Sequence, residues 1–210
     1  MISFIIVIVA SYLIGSISFS VLFTKKFAGF DVRKRGSGNA GSTNVLRTAG
    51  KKVAIITLIC DILKGVIAVF FAIMIGNMFN VDDHTKATLA EFAGIFVVIG
   101  HTFPIFFEFK GGKGVATALG VLLVFNWKIG LICLIFALII MAITKIVSLG
   151  SVSAAILFPI LCIFIQQNYI VEGDHFSYII FGLIMALIVS FNHRENIKRI
   201  MEGKENKLKL

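Results

Sequence analysis

Residues 53–75 read VAIITLICDILKGVIAVFFAIMI, an apolar run interrupted by two charges, Asp61 and Lys64. A helix crosses a bilayer with ~20 predominantly apolar residues, so this stretch reads as a transmembrane helix. The two charges stand three positions apart and share a helix face. Charges inside a span are costly and are paired or functional. Asp61 and Lys64 therefore read either as an ion pair shaping the inner half of a bundle or as part of a site.

The rest of the chain extends this pattern. Of its 210 residues 58% are hydrophobic and the mean hydropathy is +0.98, where a soluble domain is nearer half apolar. Further spans are expected at residues 2–23, 89–107, 115–125, 129–143, 151–165 and 176–191. The fourth to sixth of the seven run short, and begin inside flanking loops, tilt or are shielded by neighbours. The expected fold is all-α: a polytopic integral membrane protein of seven transmembrane helices, with residues 1–210 as one membrane-embedded domain. The chain starts straight into apolar residues without a positive flank or a small-residue cleavage site, and reads as a retained first span rather than a signal peptide. Cys60, Cys133 and Cys162 all lie in apolar segments, where thiols behave as small hydrophobes; no disulfide is expected.

A net charge of +9 raises the possibility of nucleic acid. The distribution argues against it, because the basic residues sit between apolar spans as orientation signals do. Lys25, Lys26, Arg33, Lys34, Arg35, Arg47, Lys51 and Lys52 follow the first span. Lys110 and Lys113 follow the third, Lys145 the fifth, and Arg194, Lys198, Arg199, Lys204, Lys207 and Lys209 the last. The alternate loops hold only Lys86 and Lys128, beside Asp82, Asp83, Glu172 and Asp174. The N-terminus is thus expected outside and the C-terminus in the cytoplasm, as an odd number of spans requires. Every polar, glycine-rich stretch then falls on the cytoplasmic face.

Three such stretches carry chemistry. Residues 36–47, GSGNAGSTNVLR, are glycine, hydroxyl, amide and one arginine. Glycines let the backbone approach a ligand, successive N–H groups form an anion-binding nest, and Arg47 offers a planar fork that fits phosphate. A merely solvated loop needs none of this density. The second stretch runs from Gly100-His101-Thr102-Phe103-Pro104 to Lys110-Gly111-Gly112-Lys113-Gly114-Val115-Ala116-Thr117 and leads into an apolar helix, whose N-terminus presents unpaired N–H groups. Its spacing is not that of a nucleotide P-loop. The third follows the last span: Asn192-His193-Arg194-Glu195-Asn196-Ile197, with His193 and Asn196 on one face if the helix continues. Ser148 and Ser151 open the sixth span, where serines cap helices or hydrogen-bond a substrate. His84 and His175 sit in outward loops. No His/Cys/Asp/Glu cluster has metal-ligand spacing, so neither metal nor cofactor is expected.

Together these stretches, with Gly203 and Glu205 beyond them, closely resemble the PlsY family of bacterial inner-membrane acyl-phosphate:glycerol-3-phosphate acyltransferases, over nearly the whole chain and without departure in the core motifs. The resemblance implies seven helices with the N-terminus outside, matching the topology read from charge. It implies transfer of a fatty acyl group from acyl phosphate to the 1-hydroxyl of glycerol 3-phosphate, giving lysophosphatidic acid for phospholipid synthesis. The candidate catalytic residues are His193, Asn196, Ser37, Arg47 and Lys113. The candidate substrate- and phosphate-binding residues are Gly38, Asn39, Gly41, Thr43, Asn44, His101, Lys110, Gly111, Gly112, Gly114, Thr117, Ser148 and Asn192. The implied partners are glycerol 3-phosphate, acyl phosphate and the lipid bilayer; the implied location is the bacterial inner membrane, with the active site on the cytoplasmic face.

Acyl phosphate is already activated, so positioning and donors aimed at the leaving phosphate supply the catalysis. No Ser-His-Asp triad is evident, and direct attack without an acyl-enzyme is expected. Either His193 or the acceptor's own phosphate can take the proton. Two glycine-rich cationic nests suggest two phosphates held at once, one of them on the donor. A transporter of a phosphorylated metabolite would also use cationic helix ends, but the outward loops lack polar motifs. The His-four-residues-Asp signature of acyl-CoA-dependent enzymes follows none of the four histidines.

Overall fold

A computed structural model describes residues 1–165 and 173–208; Glu172 and Lys209, two of the charges used to read orientation, lie outside the described residues. Among the described residues the regular structure is helical, without strands. The chain falls into two compact units, Met1–Val121 and Leu122–Leu210. The first holds α1 (Ile2–Gly15), α2 (Phe19–Ala28), α3 (Ser42–Ala49), α4 (Lys51–Met78) and α5 (Asp83–Thr102), and α6 (Val115–Phe125) runs from it into the second, which holds α7 (Trp127–Thr144), α8 (Val147–Phe164), α9 (His175–Asn192) and α10 (Arg194–Met201).

Among the described residues six segments are long and apolar enough to cross a membrane: Ile2–Ala28, Lys51–Met78, Asp83–Phe107, Trp127–Thr144, Val147–Phe164 and His175–Asn192. The seventh expected span, α6, is apolar but only 11 residues long, about 16 Å at 1.5 Å per residue. α4 shows the inverted pattern of a helix solvated by lipid. Thr57, Asp61, Lys64, Gly65, Ala68 and Ala72 are buried, while Ile55, Ile59, Leu63, Ile67, Phe70 and Met74 face outward.

The first span is not one helix, as its sequence suggests, but two. α1 stops at Gly15 and α2 starts at Phe19. Unpaired carbonyls in a membrane cost several kcal/mol each. Lys64 of α4 meets that cost, its ammonium donating to the carbonyls of Gly15 and Ile17 at 3.0 Å each. The same ammonium pairs with Asp61 at 3.0 Å, both side chains 2% exposed. Losing one partner of such a pair costs about 3–5 kcal/mol, because the other charge stays buried.

Lipid-embedded helices associate by close packing, not by burial of oil from water. α1 packs on α5 and α4, and α4 on α5. At the first contact the backbones themselves touch: a Cβ on Gly15 would strike the Val97 carbonyl, and one on Gly100 the Tyr12 carbonyl. Gly65 of α4 and Gly120 of α6 repeat the device against the carbonyls of Thr117 and Ile62. A methyl group forced into such a contact costs about 1–3 kcal/mol. The end of α5 is tied to the α1 break by Tyr12 Oη donating to Phe103 O at 2.8 Å. A 3₁₀ turn over Ile105–Phe107 follows.

In the second unit α7 packs on α8, and α8 on α9. Phe125, Phe158, Tyr178 and Phe181 form its aromatic core, with the closest ring centroids, Phe125 and Phe181, 5.0 Å apart. Asn126 caps α7 by accepting from the Lys128 and Ile129 N–H groups, and Asp174 caps α9 through Ser177 N–H. Cys60, Cys133 and Cys162 are free thiols, as expected from their apolar settings.

Candidate active site

The expected site residues fall into two groups, one in each unit. In the first unit the 36–47 loop is organised by Asn44, buried in the opening turn of α3. Its Oδ1 accepts from Ser37 N–H at 2.9 Å. Its Nδ2 donates toward the carbonyls of Val32 (3.1 Å), Arg35 (3.0 Å) and Asn39 (3.0 Å). Asn44 thus spends its carboxamide on the loop itself. Each such bond contributes about 0.5–1.5 kcal/mol net, and far more is lost if buried partners are orphaned. Val32, Ala40, Val45 and Ala54 form the apolar floor below. Upstream, Arg33 grips Asp31 through Nε and Nη2 and donates from Nη1 to Phe107 O at 2.7 Å. The Arg33 hydrogen bond holds the Asp31 carboxyl below the usual carboxylate range.

With the loop so fixed, Ser37 and Arg47 are exposed, Asn39, Gly41 and Thr43 are partly exposed, and Gly38 takes φ +73°. Arg47 has no hydrogen-bond or ion-pair partner among the described residues, so its guanidinium is available to an anion.

The second glycine-rich stretch folds back on the end of α5. Gly111 N–H donates to Thr102 O and Gly112 N–H to His101 O, each at 3.0 Å. It also meets the first loop: Ala40 N–H donates to Gly111 O at 3.4 Å, and a Cβ on Gly112 would strike both Ala40 O and His101 Nε2. Only glycine fits there. Two stretches some seventy residues apart in sequence are therefore laid side by side. Lys110 is exposed and pairs with Glu108 at 3.6 Å; Lys113 is half-buried, and Gly114, at φ +83°, turns the chain into α6. Two expected binding residues lie deeper. Thr117 is fully buried, and His101 is buried behind the hairpin with Nδ1 3.5 Å from Asp61.

In the second unit the chain bends at His193, between α9 and α10, where φ is −101° and ψ 4°. His193 Nδ1 lies 2.8 Å from Val189 O. A carbonyl only accepts, so Nδ1 carries the proton, and in the neutral ring Nε2 is the basic nitrogen. Asn196, one turn on and buried, donates to Glu205 Oε1. Glu205 also accepts from Ser148 Oγ at 2.9 Å and Arg199 Nε at 2.7 Å. Ser148, expected to touch substrate, uses its hydroxyl on this anchor, and Asn192 ends α9. The tail returns to the α7–α8 turn, with Leu208 N–H donating to Lys145 O at 2.8 Å. Glu205 was not among the expected site residues. Its sequence signals are its place among the residues that carry the family resemblance and its position nine residues beyond Asn196 across the turn at Gly203.

The glycerol-3-phosphate acyltransferase family model matches residues 5–203. A glycerol-3-phosphate acyltransferase of Clostridioides difficile (strain 630) is 43% identical over 206 residues, covering 98% of this chain and 96% of that one. The crystal structure of PlsY (YgiH), an integral membrane glycerol 3-phosphate acyltransferase, in its glycerol 3-phosphate form is similar with a TM-score of 0.84 and 33% identity, covering 99% of this chain and 96% of that one. Its lysophosphatidic acid form matches over the same shares, with a TM-score of 0.82 and 32% identity.

The anchor in the second unit yields a pH prediction. Burial pushes the Glu205 carboxyl up, but hydrogen bonds from Asn196, Arg199 and Ser148 outweigh it and leave it below the ordinary glutamate value. A carboxyl lowered on folding stabilises the fold above its ordinary value, and that contribution is lost as pH falls through the lowered one. Wild-type protein should therefore melt higher than Glu205→Gln by a constant margin above about pH 5, with the margin closing in more acidic buffer. Melting curves that stay parallel from neutral to acidic pH would show that the Glu205 charge stabilises nothing.

Proposed function

The chain belongs to the glycerol-3-phosphate acyltransferase family, and from that premise we propose its complete reaction. It is an integral membrane acyltransferase of phospholipid synthesis. The proposed donor is acyl phosphate. The 1-hydroxyl oxygen of glycerol 3-phosphate bonds to the acyl carbon, the bond from that carbon to the phosphate oxygen breaks, and inorganic phosphate leaves with the electron pair. The hydroxyl proton passes to His193 Nε2. The product is lysophosphatidic acid. The glycerol 3-phosphate and lysophosphatidic acid forms of the similar PlsY support this acceptor and product.

The observation carrying the donor assignment is the pairing of two glycine-rich cationic stretches through Ala40 and Gly111. One nest serves the acceptor's phosphate; a second is needed only if the donor brings a phosphate too. Backbone N–H groups and cations aimed at a leaving phosphate stabilise it as it departs. In this reading Arg47 binds phosphate as a planar fork, Lys113 as a point charge, and Ser37 through its hydroxyl. Gly38, Asn39, Gly41, Thr43, Lys110, Gly111, Gly112, Gly114 and Thr117 shape the two cradles. Asn196, held by Glu205, orients the acceptor beside His193. Residues 1–210 act as a single membrane-embedded acyltransferase domain, supported by the family match running through both units.

The proposed topology is seven spans in the bacterial inner membrane, with α6 as a short span, the N-terminus outside and the active site on the cytoplasmic face. Its support is the lysine and arginine distribution. Single cysteines at Ser42 or Gly203 in a thiol-free background should label only from the cytoplasmic side, and one at Asp83 only from outside. Labelling of the Ser42 position from outside intact cells would reverse the orientation.

Purified protein given acyl phosphate and glycerol 3-phosphate should release inorganic phosphate in step with lysophosphatidic acid, with no comparable turnover on acyl-CoA. Robust acyl-CoA turnover with acyl phosphate inert would falsify the two-cradle assignment. For His193, Ala and Gln substitutions should both cut turnover about 10²-fold or more, the scale of a lost general base. Near-wild-type turnover in the Gln variant, which hydrogen-bonds but is a poor base, would reassign His193 as a clamp and give the proton to the acceptor's phosphate.

A further inference from the structure

Asp61 and Lys64 have no part in the reaction above, yet they form the most completely buried ion pair among the described residues, at 2% exposure each. The contacts around them make a continuous line. Lys64 Nζ donates to the carbonyls of Gly15 and Ile17, at the break in the first span. Asp61 Oδ1 lies 3.0 Å from that ammonium and 3.5 Å from His101 Nδ1. The opposite edge of the same imidazole, Nε2, lies against Gly112, with no room for a single methyl group between them. Gly112 in turn lies against Ala40 of the first loop, and Gly112 N–H is bonded to His101 O. Every link belongs to the first unit.

We propose that Lys64 and Asp61 are positioning residues for the acyltransferase reaction: they fix the His101 ring, and that ring sets where the Gly111–Gly114 hairpin stands. The physical basis is rigidity. His101 sits buried at the C-terminal end of α5. A carboxylate oxygen 3.5 Å from one ring edge and backbone against the other restrict the orientations open to the ring. The carboxylate lies beside an ammonium in a dry interior, and that ammonium also meets two carbonyls of a broken helix that need donors. The discontinuity of the first span is thus the fixed point from which the hairpin is placed. This differs from an ion pair that merely holds the bundle together, because its output is a local one at the hairpin.

The test uses the full-length protein purified in detergent. Either single neutralisation leaves one buried charge and is prone to misfold. The informative variant is therefore Asp61→Asn/Lys64→Met, which removes both charges while keeping volume. Two readouts are taken. Limited trypsinolysis resolved by mass spectrometry should show cleavage after Lys110 and Lys113 accelerated about tenfold, with cleavage after Lys204 unchanged. Kinetics should show KM for one phosphate-bearing substrate raised about tenfold, while the other KM and kcat change less than about threefold. Unchanged hairpin cleavage, or cleavage accelerated equally at all three lysines with kcat falling and both KM values constant, overturns the positioning role. The kinetic readout rests on the hairpin being a phosphate cradle, whereas the proteolytic one does not. Selective hairpin cleavage with both KM values unchanged therefore upholds the positioning and overturns the cradle. If both single variants fold, Lys64→Arg should restore the wild-type cleavage pattern, since it keeps the charge and the donors.

Discussion

A backbone that breaks inside an apolar span must find hydrogen-bond donors there, and in this protein one ammonium supplies them. Lys64 crosses from α4 to the Gly15 and Ile17 carbonyls and is itself made tolerable by Asp61. Much of the first unit depends on that arrangement. The break lets α1 run hard against α5 through Gly15 and Gly100 before the chain turns away as α2. The turn brings Ser16 and Tyr12 to the end of α5, where they bond Ile105 N–H and Phe103 O. The segment carrying the second glycine-rich stretch leaves from that point.

The loops are held by the same economy of means: a single polar side chain satisfies several polar groups at once. Asn44 gathers three carbonyls and an N–H. Glu205 gathers Asn196, Arg199 and Ser148. Each hub sits beneath candidate site residues, leaving Ser37 and Arg47 exposed in the first unit and Asn196 fixed near the His193 bend in the second. A site for phosphate groups in a lipid-embedded protein needs this division. Cations and N–H groups aimed at a ligand are strong only if they are already in place, and short loops between apolar helices have little hydrophobic core with which to hold them.

The sequence by itself determined the membrane class, the helical fold and which stretches are polar and glycine-rich. These are local properties. Some twenty apolar residues in a row have no other stable solution than a membrane helix, and glycine, amide and arginine crowded between such runs are legible wherever the fold puts them. The three motif stretches likewise sufficed to identify the family. What the sequence left open was which polar residues bind and which build. Asn44, Ser148, His101 and Thr117 have the same chemistry whether they meet a ligand or the chain's own backbone. The tertiary structure gave Asn44 to the loop, Ser148 to Glu205, His101 to Asp61 and Gly112, and buried Thr117. It also showed that residues 2–23, read from the sequence as one span, are not one helix. What satisfies the carbonyls at that break could not be read locally, because the donor lies 49 residues away in Lys64. Asp61 and Lys64 were visible as two charges in oil; that they hold a broken helix on one side and a histidine on the other is a matter of distance in space, which only the packed chain decides.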